Sequence, residues 1–362
     1  MAACAFFWSP EAHAQTSTSD LSRVLELIQQ QESRLNEQER QLHEQQRQLS
    51  EQRSLIERQR REIEAMTSIS DADLSEIRGA GRTPLARIPY FAEQAIEFLK
   101  DFEQIILVGA QEPVAFFAYP GVPSLLAPPD CAMMTLAGVH DDIPAALAKL
   151  ATRVTTAAEC PRQPRIVPSL TGTELSPGAI ADVISAGLPE NAIISDEGIT
   201  CAQELFLRTG GAPAHDWISV TGGSIGQGLP VSFGASIACP DRKVVAFQAD
   251  GSAMYTVQSL WSMARERSDV TVVLLNNSSY AILNVELTRL KAGDPNPKTL
   301  SMLDLGNPVI DWVSIAQGMQ VDACKVETVA EFESAFAKAM NTPGPHLIEV
   351  MVVQNLGVPV TR

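Results

Sequence analysis

Gln248–Tyr280 reads QADGSAMYTVQSLWSMARERSDVTVVLLNNSSY. An acidic turn, Ala249-Asp250-Gly251-Ser252, follows the apolar run Lys243–Phe247, and a second apolar run, Val270–Leu275, ends in Asn276-Asn277. Between them Val257, Leu260, Trp261 and Ala264 recur at helical spacing. The order is therefore strand, turn, helix, strand, turn. That order places both turns at the carboxyl ends of parallel strands, where open α/β sheets bind their ligands. Asp250 offers a hard carboxylate oxygen and Asn277 an amide oxygen. Such a pair suits Mg²⁺, which one or two protein groups usually hold together with a phosphate. Gly251 lets the backbone approach that phosphate, and the N–H groups of the following helix start favour an anion.

Outward from this stretch the same alternation continues. Ser176 caps a helix that has Pro177 at its first position. The strand Ala192–Ser195, the turn Asp196-Glu197-Gly198 and a helix around Ala202–Leu207 follow. Trp217–Val220 is a strand, and the glycine-rich turn Thr221–Gly228 leads into a helix that reaches Ala238. Towards the carboxyl end come helices at Asp311–Gln317 and Ala330–Met340 and a closing strand, His346–Val352. Repeated strand–helix units predict an α/β fold with a doubly wound, mostly parallel sheet over residues 173–362.

Residues 88–155 predict part of a Rossmann-like middle domain whose earlier strands are absent. Its elements are a helix at Tyr90–Phe102, strands at Ile105–Val108 and Met133–Leu136, and a helix at Ile143–Val154. The Thr-, Pro- and Arg-rich residues 156–172 read as a linker, and so do residues 71–87. Within the latter, Asp71–Thr83 carries a short helical pattern and then Gly79 and Gly81, before Pro84.

Residues 20–70 read as a long helix in a coiled coil. Ile28, Leu35, Leu42, Leu49, Ile56 and Ile63 recur every seven residues, with Gln31, Gln38, Gln45, Gln52 and Gln59 three positions on. A strict seven-residue repeat implies a left-handed supercoil and hence a homo-oligomer, a dimer or trimer with the trimer slightly preferred; a single solvated helix is the alternative. The segment resembles the coiled coils that precede some bacterial outer-membrane porins, although no β-barrel pattern follows. Residues 1–19 are either disordered or signal-like, with a short apolar run at Ala2–Trp8 and small residues at Ala12-His13-Ala14.

A net charge of −16 argues against nucleic acid as a partner. No apolar stretch reaches the ~20 residues of a membrane span. The six cysteines are scattered without a C-x-x-C pair, which suggests neither a zinc site nor a disulfide framework. A cytoplasmic location is expected, or an exported one if residues 1–14 end a signal peptide.

The segment TGGSIGQGLPVSFGASIACPDRKVVAFQADGS, taken with NNSSYAILNVE, resembles the acetolactate synthase large-subunit family. That family includes benzoylformate decarboxylase and benzaldehyde lyase relatives, and the resemblance spans about residues 84–355. It implies thiamine diphosphate and Mg²⁺ as cofactors. The resemblance assigns Asp250, the Asn277 side chain and the Ser279 carbonyl to the metal, and Gly251, Ser252, Ser224 and Tyr280 to the cofactor. Gly198 and Thr200 would lie at a loop touching the diphosphate. The Gly223 carbonyl would accept from the aminopyrimidine, Ile225 would prop the bent cofactor under its thiazolium, and Ile282 would line the substrate side. Plainer readings stand beside three of these: Thr200 as a helix N-cap, Ile282 as core and Gly198 as a simple turn.

Three departures qualify the carry-over. Ala249 replaces a usual glycine, and Glu286 stands where family members that favour the larger acceptor carry tryptophan. The family's pyrimidine-binding domain, with its activating glutamate, has no counterpart in the pattern. The expected function is decarboxylation and carboligation of 2-keto acids such as pyruvate, with a separate chain supplying the pyrimidine domain. The alternative is a fusion or truncated product whose main activity is coiled-coil oligomerisation.

Overall fold

The computed structural model describes residues 75–154, 161–290 and 296–353, with Arg40 and Arg47 as isolated helical positions. The expected segments 1–19 and 20–70 otherwise lie outside the described residues.

Among the described residues, nine strands form two sheets: β1 Ser75–Arg78, β2 Gln104–Val108, β3 Ala132–Ala137, β4 Ala192–Glu197, β5 His215–Ser219, β6 Val244–Ala249, β7 Val270–Asn276, β8 Asp322–Val326 and β9 His346–Met351. The larger sheet has the order β1-β5-β4-β6-β7-β9-β8. All its pairings are parallel except β1 with β5. The central strands are buried on both faces, which is why they read as continuous apolar runs. Alternate side chains go to opposite faces. Val245, Phe247, Val273 and Leu275 join one core with Trp217, Phe332 and Phe336. Val244, Ala246, Val272 and Leu274 join the other with Leu260, Trp312 and Leu347. The expected doubly wound α/β architecture is the one observed among the described residues.

The topology fixes where a ligand can sit. From β4 the chain moves outward to β5, then returns past β4 to β6 and continues to β7. The direction of winding thus reverses between β4 and β6, and the crevice beyond the carboxyl ends of such neighbours is the usual binding position. Glu197 pairs with Gln248, and Ala249 with Leu275, so three strand ends lie side by side.

Local sequence explains the elements around this crevice. The helix Pro177–Gly187 starts as expected, with the Ser176 hydroxyl accepting from the Ala179 N–H. The helix Val329–Asn341 begins with a capping box, in which Thr328 and Glu331 satisfy each other's backbone N–H groups. Phe332 and Phe336 on this helix fill the first core. Thr328→Ala should therefore lower stability by about 1 kcal/mol, read as the midpoint shift in a urea titration at unchanged slope. In the helix Ser259–Glu266, Leu260 and Met263 turn inward. Trp261, expected on that face, is instead 54% exposed, with the Arg265 guanidinium 5.1 Å from its ring centroid.

Within residues 75–87 the chain forms a strand and packs two arginines. Ser75–Arg78, within the stretch expected to be helical, is a strand paired antiparallel to β5. The Arg78 guanidinium lies 3.6 Å from the Phe206 ring centroid, and that of Arg87 lies 3.7 Å from it on the same ring. Stacking on these apolar faces outweighs a helical pattern only a few residues long. Gly79 then turns at φ +101, and a Cβ there would lie 2.4 Å from the Pro213 carbonyl oxygen. The strand β8 and the helices Ala281–Arg289 and Pro297–Ser301 were not anticipated by the sequence pattern.

In the middle segment β2 and β3 pair in parallel, flanked by helices at Ala92–Leu99 and Ile143–Ala151. Its small core comprises Ala92, Ala95, Leu99 and Leu126. Glu286, on the helix Ala281–Arg289, accepts from the Tyr119 hydroxyl at 2.7 Å, and Arg289 pairs with Glu93 at 2.7 Å. These contacts hold the segment against the larger sheet's domain.

Candidate functional site

The ends of β6 and β7 meet as the sequence pattern requires. Asp250 opens a single helical turn, Asp250–Ala253, and is 2% exposed. Its Oδ1 accepts from the Gly251 N–H at 2.9 Å, whereas Oδ2 is buried without a hydrogen-bond partner. Burial pushes its pKa up to about 6, against the opposing pull of the N–H groups of Gly251, Ser278, Ser279 and Asn277. The carboxylate therefore faces the backbone of the Asn277–Ser279 turn, which brings the two half-motifs together. An orphaned, buried carboxylate oxygen facing the turn that carries the Asn277 amide is a fitting start to a donor set for a hard cation such as Mg²⁺. Among the described residues no group of three or more His, Cys, Asp or Glu side chains could hold a metal instead.

The Asn277 turn is built from its neighbours. The Asn277 Oδ1 accepts from the Ser279 N–H at 3.1 Å, so one of its lone pairs is already engaged. Ser278 adopts φ +54. The Asn276 Oδ1 takes both the N–H and the hydroxyl of Ser278, at 2.8 and 3.1 Å, which holds that unfavourable backbone in place. Behind it, the Asn276 amide donates to the buried Glu349 at 2.7 Å. The Ser279 hydroxyl donates to the Leu303 carbonyl and accepts from Asn284.

Gly251 is required by close packing. A Cβ there would lie 2.5 Å from the Tyr280 ring, so Tyr280 shapes the turn it was expected to share. The Ser252 hydroxyl is committed, donating to the Ala249 carbonyl and accepting from the Gln248 amide at 2.8 Å. For an anion this leaves the Ser252 backbone N–H as its available donor.

The glycine-rich turn lies beside these two. Gly222, Gly223 and Gly226 have φ of +55, +70 and +95, which side-chain-bearing residues rarely adopt. Ile225 on this turn is 37% exposed. The Gly223 carbonyl accepts from the Ile225 N–H at 3.0 Å, and Phe116 of the middle segment fills the space where a Gly223 Cβ would sit. The Ser224 side chain is exposed, and its N–H donates to the Thr221 carbonyl. Ile282 is half-buried on the helix Ala281–Arg289.

Gly198 is packed tightly under the β4 turn, between Leu205, Asp196 and Leu275. Its N–H donates to Asp196, whose own pKa burial pushes up to about 6. Thr200 does not cap the following helix; Cys201 holds that position, without a side-chain cap. Ile199 between them takes φ +49, a costly conformation for a β-branched residue. Such strain is found where a turn is held for binding.

Three residues of this site were missed in the sequence reading: Glu197, Gln248 and Glu349. All three are buried polar groups: Glu197 and Gln248 lie at the carboxyl ends of β4 and β6, and Glu349 lies within β9. A polar residue closing an apolar strand run was the signal available for Glu197 and Gln248, and a lone charge inside the apolar run of residues 346–353 was the signal for Glu349.

Known proteins match this arrangement. Residues 198–350 match the family model "Thiamine pyrophosphate enzyme, C-terminal TPP binding domain". A Mycobacterium tuberculosis protein that carries the provisional name acetolactate synthase large subunit IlvX is 48% identical over 284 residues, 77% of this chain and 54% of that protein. Benzoylformate decarboxylase of Pseudomonas aeruginosa is 33% identical over 190 residues, 52% of this chain and 34% of the enzyme. Among solved structures, the thiamine diphosphate-dependent 4-hydroxybenzoylformate decarboxylase of Rhodococcus jostii superposes with a TM-score of 0.60 at 26% identity, covering 74% of this chain and 52% of that one. The chain thus spans about half or less of the length of these relatives. The cofactor that goes with the matched domain is thiamine diphosphate, with Mg²⁺ as its usual companion.

Proposed function

We propose that this chain carries the diphosphate- and metal-binding half of a thiamine-diphosphate-dependent enzyme acting on 2-keto acids, by decarboxylation and carboligation. The observation that carries the reading is the buried, unpartnered Oδ2 of Asp250, facing the Asn277–Ser279 turn at the reversal point of the sheet. In this reading Asp250, the Asn277 side chain and the Ser279 carbonyl hold Mg²⁺. Ser252 presents its backbone N–H to the diphosphate, Gly251 lets the backbone come close to it, and Ile225 and the Gly223 carbonyl orient the rings. Gly198, Thr200, Ser224 and Tyr280 complete the walls.

When bound, thiamine diphosphate supplies an electron sink for chemistry at a 2-keto carbon. This chain's own contribution is positioning and the exclusion of water. Phe116 covers the glycine-rich turn, and it stacks near Tyr90 at a centroid distance of 5.5 Å. Ile282 lines the substrate side on the same helix as Glu286. A pyrimidine-binding domain, supplied from outside residues 75–353, completes the site, and residues 20–70 assemble copies of the chain. Pyruvate and benzoylformate are the substrates to offer first. The location proposed is the cytoplasm; among the described residues no helix is long and apolar enough to cross a membrane.

Isothermal titration of the chain with thiamine diphosphate, with and without Mg²⁺, tests the binding half. Micromolar binding that requires Mg²⁺ is the expected result, and no binding in either condition overturns the reading. Turnover of either keto acid on addition of a candidate pyrimidine-domain chain tests the catalytic half.

A further inference from the structure

We infer that Glu197 is the positioning residue that sets the glycine-rich turn for the organic ring of the ligand. The inference rests on thiamine diphosphate being that ligand. Glu197 is the last residue of β4 and is 1% exposed. Its Oε1 accepts from the Gly226 N–H at 2.6 Å, and its Oε2 accepts from the Gly228 N–H. The Gln248 amide also donates to Oε1, at 3.2 Å, and reaches the Ser252 hydroxyl at 2.8 Å. One carboxylate thus joins the glycine-rich turn to the Asp-Gly-Ser turn.

The chemistry of this bridge is specific. A buried carboxylate is costly unless strong hydrogen bonds compensate it, and here backbone N–H groups do so at both oxygens. Only a carboxylate presents two acceptor oxygens to two N–H donors; a glutamine would turn its own NH₂ against one of them. Gly228 has no room for a side chain, because a Cβ would lie 2.4 Å from Gln248 and 2.8 Å from Glu197. On the other side of the turn the Thr256 hydroxyl donates to the Gly226 carbonyl at 2.7 Å. Gly226 is therefore held through both its N–H and its carbonyl.

The residues just before it, Gly222, Gly223, Ser224 and Ile225, include two glycines at positive φ, and their side-chain positions are exposed. A permissive, exposed segment of this kind samples many conformations unless its end is fixed. Fixing the Gly226 and Gly228 peptides fixes the direction from which Ile225 projects, and preorganisation of this kind appears as affinity. The carboxylate touches no ligand; it acts through the turn.

A ring-selective binding measurement tests this. The full chain and its Glu197→Gln and Glu197→Ala variants are titrated at saturating Mg²⁺ with thiamine diphosphate and, separately, with inorganic pyrophosphate. Pyrophosphate reports the Asp250 side of the site alone. Both variants are expected to weaken thiamine diphosphate by about 30-fold, some 2 kcal/mol, and pyrophosphate by less than about 3-fold. Thr256→Val, which leaves Glu197 in place, is expected to give the same ring-selective loss by a smaller factor, and it stands in if the Glu197 variants do not fold. Equal weakening of both ligands, or no weakening of either, overturns the inference. Failure of the unaltered chain to bind thiamine diphosphate overturns the functional reading, and this inference with it.

Discussion

Asp250→Ala should abolish Mg²⁺-dependent binding of thiamine diphosphate, weakening it by at least ~100-fold, about 2.7 kcal/mol. Asp250 is the one carboxylate in the proposed donor set, and the remaining donors, an amide oxygen and a carbonyl, are neutral. Mg²⁺ sheds its water reluctantly and is poorly held without an anionic ligand. The fold should survive the change. Burial raises the pKa of Asp250 to about 6 from an ordinary 3.8, so the folded state disfavours its ionised form. The resulting penalty develops as pH rises from 3.8 to about 6 and is fully present at neutral pH. Removing the carboxyl removes that penalty, and the melting temperature of the ligand-free variant should be equal to or above that of the parent. Thermal unfolding followed by circular dichroism, with and without Mg²⁺ and thiamine diphosphate, reads both effects. A variant that still gains stability from the pair of ligands would remove Asp250 from the metal site.

Trp217→Ala should destabilise the chain by about 3–5 kcal/mol, the range for deleting a large buried aromatic. Trp217 is 0% exposed and sits on β5. It meets Phe206 and Phe247 edge-on, at centroid distances of 5.4 and 5.6 Å. The same aromatic group carries the guanidinium groups of Arg78 and Arg87, so loss of the indole loosens β1 as well. Trp217→Phe should cost less than half as much, because most of the apolar volume stays. Guanidinium titration of the two variants checks the ranking; equal losses would show that the cavity is not the cause.

The motif residues were legible because they are local. An apolar strand run, an acidic turn and a glycine-rich turn each declare themselves within a few residues, and the sheet's parallel order followed from the alternation of strand and helix. What escaped was set by distant partners. Ser75–Arg78 is only four residues long, and its strand conformation comes from β5 and from Phe206, more than a hundred residues away. β8 carries exposed side chains at Asp322, Cys324 and Lys325, a pattern shared by many loops. Glu197 and Gln248 look like ordinary polar residues at strand ends until the β4–β6 pairing sets them side by side. Trp261 was misassigned because an apolar residue at helical spacing does not reveal which edge of the apolar stripe faces solvent.

The antiparallel pairing of β1 also bears on solubility. An uncovered border strand offers a row of free N–H and C=O groups to any other chain, and β5, with its aromatic and apolar side chains, would be an adhesive one. β1 occupies that border. The opposite border, β8, carries the charges of Asp322 and Lys325, with Asp322 bound to Lys338 at 2.9 Å, and charges of this kind discourage strand addition. One border is thus shielded by a short strand and the other by charge. Were β1 undocked, β5 would offer that row of groups to another copy of the chain.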